Sequence, residues 1–374
     1  METAKEASPV YFSDLRTKQG KGLLDKLGEL AVQAGLQKIN FQRKLVALKV
    51  HFGEPGNLAY LRPNYLAVLV KLVREGGGSP FLTDCSTLYS GRRTNAVDHL
   101  QAAEENGFNR LAVGCNVIIG DGLKGTEYRQ IPLHLPHCEA PKIGSAIVDA
   151  DVLISVTHFK GHEMTGFGGA LKNLGMGCGS RGGKLEMHSA SKPRIVEKNC
   201  TACMVCIRAC AHDALRLNKA RKAEIQYDRC VGCGQCVALC RFSAAQVLWD
   251  ESAEVACQKV AEYALAAVHG KPHFHFSFLL DISPNCDCWD LNDRPIVPDL
   301  GFLASVDPVA LDRAGVDLVN QAPPLPDSAL FEAGWKDGGD KFTALHPKTR
   351  WQACLDHAER IGLGQQRYQL VKVG

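Results

Sequence analysis

The sequence predicts an α/β protein: a mainly parallel sheet with helices on both faces, interrupted by a small inserted α+β module. Three observations predict it. Apolar runs of strand length alternate with helical patterns from Val10 to Val156. The same alternation resumes at Glu251, and between the two stretches stand eight of the 16 cysteines. Because α/β pattern lies on both sides, the cysteine-rich stretch is inserted into one larger domain rather than appended. Residues 1–194 and 251–374 are then the two parts of that domain and 195–250 the insert.

Val10 to Phe12 reads as a first short strand, and about Lys21 to Gly35 as a helix. The apolar run Lys44 to Phe52 is a buried strand stopped by the glycines and proline of Gly53, Pro55 and Gly56. Pro63 suits the first turn of a helix that runs to Glu75 and is closed by Gly76, Gly77 and Gly78. A strand over Pro80 to Thr83 ends in Asp84, Cys85 and Ser86; a helix spans Thr94 to Asn106; a short strand over Val117 to Gly120 ends in Asp121. After a segment around Arg129 to Leu135, a helix over Gly144 to Ala150 leads into the strand Val152 to Val156. Beyond the insert come a helix from Glu251 to Val268, a strand from His273 to Leu280 and another from Ile296 to Leu303. Asp307 then caps a helix with Pro308 at its first position, running to Asn320. Trp351, Cys354, Ala358 and Ile361 share one helical face, and Tyr368 to Val373 is placed to close the sheet.

In the insert, Cys200, Cys203, Cys206 and Cys210 are answered by Cys230, Cys233, Cys236 and Cys240. Both sets read C-x2-C-x2-C-x3-C, the run that holds cubane iron-sulfur clusters in bacterial two-cluster ferredoxins. Three thiolates on one tight loop wrap three iron corners, and the fourth reaches across to the other cube. That assigns Cys200, Cys203, Cys206 and Cys240 to one cluster, and Cys230, Cys233, Cys236 and Cys210 to the other. The insert is thus expected to be a bacterial-type two-cluster 4Fe-4S ferredoxin-like module, with Ala214 to Leu217 and Ala223 to Tyr227 as short strands. Zinc is the rival, but zinc modules usually separate two CxxC pairs by about a dozen residues or more, and here a third cysteine follows each pair at once. The usual proline after the fourth cysteine is replaced by Ala211 and Arg241. The arginine's charge favours the reduced, more negative state of a neighbouring cluster.

A net charge of +3, with no basic run interleaved with aromatics, argues against nucleic acid as a partner. A redox partner protein or a small anionic substrate is expected instead. No basic segment followed by an apolar core opens the sequence, and apolar stretches such as Leu66 to Val73 are too short to span a bilayer. The expectation is a soluble cytoplasmic protein with no membrane span, whose cysteines serve metal ligation in a reducing compartment.

Four strands finish in polar or ligand-type residues: His51; Asp84 with Cys85 and Ser86; His158, Lys160 and His162; Asp281 with Cys286. In open α/β sheets ligands bind outside those carboxyl ends. Any one of the four alone reads as a capped turn or a satisfied surface histidine; together they point to a site, with His158, Lys160 and His162 as its catalytic candidates. Residues 166–183 hold eight glycines. Such density lets backbone amides approach an anion, with Lys172, Asn173, Gly177, Arg181 and Lys184 as the binding candidates. Tight loop packing is the plainer alternative. No P-loop is present, and the GxGxxG match at Gly177 to Gly182 follows a helix rather than a strand. His158 and His162 have zincin spacing, yet Gly161 and the strand-to-loop setting remove the helix that motif needs. Cys178, Cys286 and Cys288 form a candidate extra site for a third cluster or a metal ion. Cys257 and Cys354 lie on helix faces as core residues.

Thr157 to His162, Gly169 to Gly177, and the run Asn285-Cys286-Asp287-Cys288-Trp289 resemble the uncharacterised Fe-S centre proteins, a domain-of-unknown-function family with an inserted ferredoxin module. The likeness runs from about Val10 to Asn320. It implies two 4Fe-4S clusters and a cytoplasmic prokaryotic setting, and it implies no reaction.

The function expected is that of an iron-sulfur oxidoreductase in which two clusters pass single electrons to an acceptor at the sheet's carboxyl edge. His158, Lys160 or His162 would supply protons, and the glycine-rich stretch would bind an anionic group. A non-catalytic electron carrier or adaptor that docks redox partners is the alternative. A metal-dependent hydrolase or lyase with structural clusters is a lesser one.

Overall fold

The structure, a computed structural model, describes residues 6–89, 91–189, 192–248 and 251–374; the expected limits at residues 1 and 250 lie outside these. The central sheet is built from β1 (Ser8–Asp14), β2 (Leu45–Lys49), β3 (Ser79–Asp84), β4 (Asn116–Ile119), β5 (Val152–His158), β6 (His273–Leu279), β7 (Gly301–Ser305) and β8 (Tyr368–Lys372). Their order is β8-β1-β7-β6-β5-β2-β3-β4. β7 runs antiparallel to β1 and β6, and the remaining pairings are parallel. The mainly parallel α/β sheet read from the alternation is therefore present.

Helices α1 (Leu23–Gln33), α2 (Pro63–Glu75), α3 (Ala96–Glu105), α4 (Ala170–Cys178), α5 (Arg181–His188), α6 (Ala253–Val268), α7 (Pro308–Gln321) and α8 (Trp351–Arg360) accompany the sheet. Strand side chains alternate between two apolar layers. Val46, Leu48, Ile154 and Phe276 pack with Leu27 and Leu30 of α1 and Leu66 and Leu69 of α2. Ala47 and Leu153 face the other way, toward Leu171 and Leu174 of α4, Val260 of α6, Leu311 of α7 and Leu355 of α8. Coverage on both faces explains why every residue of β5 is buried. Pro63 opens α2, and the Asp307 carboxylate caps α7 through the N–H groups of Val309 and Ala310.

Two expectations change. The strand expected from Ile296 begins only at Gly301. Pro298 has no N–H to give a ladder, and the flanking amides of Ile296 and Leu300 donate to Ile282 and Leu279 instead. The glycine-rich stretch is not a loop: Gly166–Gly168 is a short strand paired with Lys160–His162, and the rest is largely helical, as α4 and α5. Its glycines serve close packing: a Cβ on Gly175 would stand 2.1 Å from the Val260 carbonyl oxygen of α6, and one on Gly183 would stand 2.7 Å from Tyr263 Cε1.

Between α5 and α6 the chain forms short pieces. Arg194–Ile195 pairs with Ala245–Gln246, Leu215–Leu217 pairs with Ala223–Ile225, and single helical turns span Val205–Arg208 and Gln235–Leu239. A small apolar cluster of their own ties them to Leu88, after β3, and Leu185 of α5. No helix among the described residues is long and apolar enough to cross a membrane.

Candidate functional site

From β2 the chain moves outward to β3 and β4, then returns to place β5 on the other side of β2. The carboxyl ends of β2 and β5 therefore flank a topological switch point, where open α/β sheets form their crevice. Asn173 of α4 lies across it. Its Nδ2 donates to the carbonyls of Lys49 and Val156 and to Thr157 Oγ1, while its Oδ1 accepts from Lys49 Nζ at 2.7 Å.

Along the β2–β3 side runs a buried lattice of charge. Lys49 Nζ is 3.0 Å from the Asp84 carboxylate, and Arg93 lies 3.7 Å from its other oxygen. Arg93 also donates to Glu54 at 2.7 Å, to His51 Nε2 at 2.9 Å and to the Tyr89 hydroxyl at 2.6 Å. Burial pushes the Asp84 carboxyl upward, but Lys49 and its other cationic neighbours outweigh that and hold it well below the usual carboxylate range. Burial holds His51 well below its ordinary value.

On the β5 side the loop after β6 carries Cys286, Asp287 and Cys288. Asp287 is fully buried and is met by His158 Nδ1 at 2.9 Å and Lys160 Nζ at 3.0 Å. His158 Nε2 faces the Leu280 carbonyl at 2.9 Å, and Lys160 also donates to the His158 carbonyl at 2.8 Å. Both residues are thus bound to the loop and to backbone. Of the three expected proton donors, His162 has a different place: its Nδ1 accepts the N–H groups of Met164 and Thr165, which leaves Nε2 as the protonated nitrogen.

That nitrogen lies 3.8 Å from the Glu163 carboxylate, and the ring stands beside Cys286. His162, Cys286 and Cys288 bring their ligand-type atoms within 4.8 Å of one another. The Cys286 sulfur receives Lys172 Nζ at 3.5 Å and the Cys288 N–H at 3.4 Å, and His162 donates to it as well. Its pKa is held well below that of an ordinary thiol, first by the hydrogen bond from the Cys288 thiol, then by the Lys172 charge and His162, against the opposing effect of burial. The same hydrogen bond, with burial behind it, pushes Cys288 well above the ordinary value. Lys172 feels burial pulling it down, yet the Cys286 sulfur keeps it raised. The site is a pair of cysteine sulfurs, one buried and one half-buried, the buried one facing the Lys172 ammonium.

Several expected members lie elsewhere. Cys178 closes α4 inside the apolar core, where its carbonyl accepts from the Cys85 thiol, so it does not join Cys286 and Cys288. Arg181 is buried and spent on the carbonyls of Thr87, Thr94 and Lys124 and on Gln235. Lys184 Nζ donates to the Gly179 carbonyl at 2.6 Å. The N-terminal amides of α4 are already taken: Ala170 and Leu171 donate to the Asp312 carboxyl group at 2.6 and 2.9 Å. Burial raises Asp312 to about 7. A Cβ at Gly177 would stand 2.5 Å from Lys49 Nζ, so this glycine makes room for the lysine. Asp281 gives its backbone N–H to Asp299 rather than its carboxylate to the crevice group.

The eight cysteines of residues 200–240 fall into two cavities. One is lined by Cys210, Cys230, Cys233 and Cys236, the other by Cys200, Cys203, Cys206 and Cys240. Each cavity therefore takes its fourth sulfur from the opposite half of the repeat. Burial, then neighbouring sulfurs, raise Cys206, Cys233 and Cys236, the last to about 12. A connection runs to the crevice. Gln235 accepts from Arg181, Arg181 donates to the Thr87 carbonyl, and Tyr89, two residues on, donates to the Cys288 carbonyl at 3.3 Å.

Lys49, Arg93, Tyr89 and Glu54 were not among the residues singled out by sequence as site members. A lysine closing an otherwise apolar strand is a readable signal for Lys49, since β2 is buried at that end. Arg93 and Tyr89 sit in an irregular loop with no periodicity to mark them.

The family described as "Domain of unknown function (DUF362)" matches residues 46–317. A thylakoid-associated protein of Synechocystis sp. is 29% identical over 124 residues, 33% of this chain and 35% of that protein. The chain thus spans about a third of the length of that curated relative. Among solved structures, the lactate racemase apoprotein from Thermoanaerobacterium thermosaccharolyticum superposes with a TM-score of 0.42 at 12% identity, over 98% of this chain and 83% of that one. A protein from Thermotoga maritima gives a TM-score of 0.38 at 12% identity, over 71% of this chain and 51% of that one.

Proposed function

The chain belongs to the DUF362 family, and from its own residues we propose that it is an iron-sulfur redox protein whose inserted two-cluster ferredoxin-like module, residues 195–250, exchanges electrons with the thiolate site at the sheet's carboxyl edge. One observation carries the reading. Two cavities each gather four cysteine sulfurs, three from one C-x2-C-x2-C and the fourth from the other half. That is the donor set of paired cubane clusters, whereas a zinc site needs only one such quartet within a local pair of CxxC motifs. The donor chemistry fits too, because Cys206 and Cys236, raised by burial and then by neighbouring sulfurs, are relieved by a cationic group among them.

When bound, the clusters would supply one-electron redox chemistry; the rest falls to the chain's residues. Arg181, Thr87 and Tyr89 join the module to the loop of Cys288. His158 and Lys160 hold Asp287, and with it the Cys286–Cys288 loop, in place. Lys172 fixes negative charge on the Cys286 sulfur, and His162 holds a proton beside it. A redox partner protein would meet the module, and the setting is proposed to be cytoplasmic. Iron and acid-labile sulfide counted in anaerobically purified protein test the reading. About eight of each are expected. Zinc in their place, or iron that survives replacement of the eight cysteines, would overturn it.

A further inference from the structure

We propose that Cys286 and Cys288 are a disulfide/dithiol couple that oxidises a thiol substrate, with Cys288 the sulfur attacked and Cys286 the leaving thiolate. The inference rests on the iron-sulfur reading only for where the electrons go next.

The two sulfurs are one residue apart, within 4.8 Å, and differ in surroundings. Cys286 is 1% exposed, with the Lys172 ammonium at 3.5 Å and the Cys288 N–H at 3.4 Å from its sulfur and a His162 ring nitrogen within 4.8 Å. Cys288 is half-buried where Cys286 is buried, so it is the member of the pair nearer the surface. A disulfide opens fastest when the departing sulfur is the more stabilised thiolate, and stabilising that thiolate makes the disulfide more oxidising. The geometry therefore gives the exchange a direction: attack from outside at Cys288, departure inward at Cys286. Lys172 supplies the cation that faces the Cys286 sulfur, and the N–H groups of Met164 and Thr165 occupy the Nδ1 lone pair of His162.

A substrate thiolate attacks Cys288 Sγ; the Cys286–Cys288 bond breaks, and its electron pair leaves on Cys286. A second substrate thiolate attacks the substrate sulfur of the mixed disulfide. The substrate leaves as a disulfide, and Cys288 takes a proton from solvent. The substrate has lost two electrons and the couple has gained them. Re-forming the Cys286–Cys288 bond releases two electrons and the Cys288 proton. Two one-electron acceptors of the iron-sulfur class, the pair proposed for the module, match that number.

The test uses the anaerobically purified full chain, oxidised with diamide and equilibrated with glutathione redox buffers. The disulfide is read by peptide mass spectrometry, and iron and sulfide are counted in parallel. A Cys286–Cys288 disulfide is expected, with glutathione trapped on Cys288. In Lys172→Met the disulfide should resist reduction about tenfold more, a shift of about 30 mV for a two-electron couple, and Lys172→Arg should restore most of it. Dithiothreitol and a reduced dithiol protein, offered separately, distinguish a small-molecule substrate from a protein one. Absence of the disulfide, trapping on Cys286, an unchanged equilibrium in a folded Lys172→Met, or a metal equivalent lost with Cys286→Ser would each overturn the proposal. An iron count below about eight with the disulfide present would instead sink only the iron-sulfur reading.

Discussion

The cysteines of the insert and the cysteine pair of the crevice face opposite electrostatic problems. In the insert, burial and then other sulfurs act on Cys206, Cys233 and Cys236 and push each toward the protonated thiol. At the crevice, Cys286 is also buried, yet a thiol, an ammonium and an imidazole outweigh burial and shift it toward the thiolate. A sulfur crowded by sulfurs needs charge brought from outside, whereas a sulfur facing Lys172 has it built in. The difference teaches which cysteines are suited to ligating a cluster and which to covalent exchange, although residue type alone makes them alike.

The largest expected effect separates the two regions outright. Replacing Cys233 by serine should remove about half of the iron and sulfide and broaden the visible absorption, since one cavity loses a ligand. Cys286→Ser should leave both counts unchanged. If Cys286→Ser lowers iron by a whole cluster, the contrast between the regions fails.

Next in size is the buried ion cluster that holds the exchange loop. Asp287→Asn leaves His158 and Lys160 buried without their carboxylate, a change that costs about 3–5 kcal/mol where one partner of a buried pair is removed. Denaturant unfolding of the main body should report that loss, while iron content stays at its starting value. An unchanged midpoint would mean that the loop is not held through Asp287.

Much of this was legible in the sequence, for physical reasons that differ by element. β5 was readable because a strand buried on both faces is continuously apolar, and α2 because Pro63 and the glycines after Glu75 bound it. The two quartets of sulfurs were readable because ligand spacing is local. The helix α5 was not, since Gly182 and Gly183 argue against helix, and the close packing of Gly183 against Tyr263 is visible only in three dimensions. The grouping of Cys178 with Cys286 failed because it depended on where α4 ends in space. Lys49 and Arg93 were missed because their meaning lies in Asp84, brought beside them by the pairing of β2 with β3.

Close packing gives a third test on the main-body side. Gly175→Ala forces a methyl against the Val260 carbonyl of α6, with backbone on both sides of the contact. Overpacking of that kind costs about 1–3 kcal/mol. A urea titration should show it, with the slope unchanged if the unfolded surface is unaltered. Because α4 also carries Lys172 and Asn173, the variant should disturb Cys286 chemistry more than the iron count.

The smallest expected effect lies on the insert. Arg216 and Glu224 are cross-strand partners on its hairpin, paired at 3.0 Å with side chains 62% and 44% exposed. An exposed pair of this kind is worth at most about 1 kcal/mol. If metal coordination holds the insert together, Arg216→Ala should leave its thermal transition in place in the metal-loaded protein, because the hairpin is then fixed through Cys210 and Cys230 at either end. In protein stripped of iron the same substitution should become visible, since only the small cluster around Leu215, Ala223 and Ile225 then resists unfolding. Equal effects in both states would mean that the hairpin draws its stability from its own contacts, and the insert would resemble the main body in how it is held.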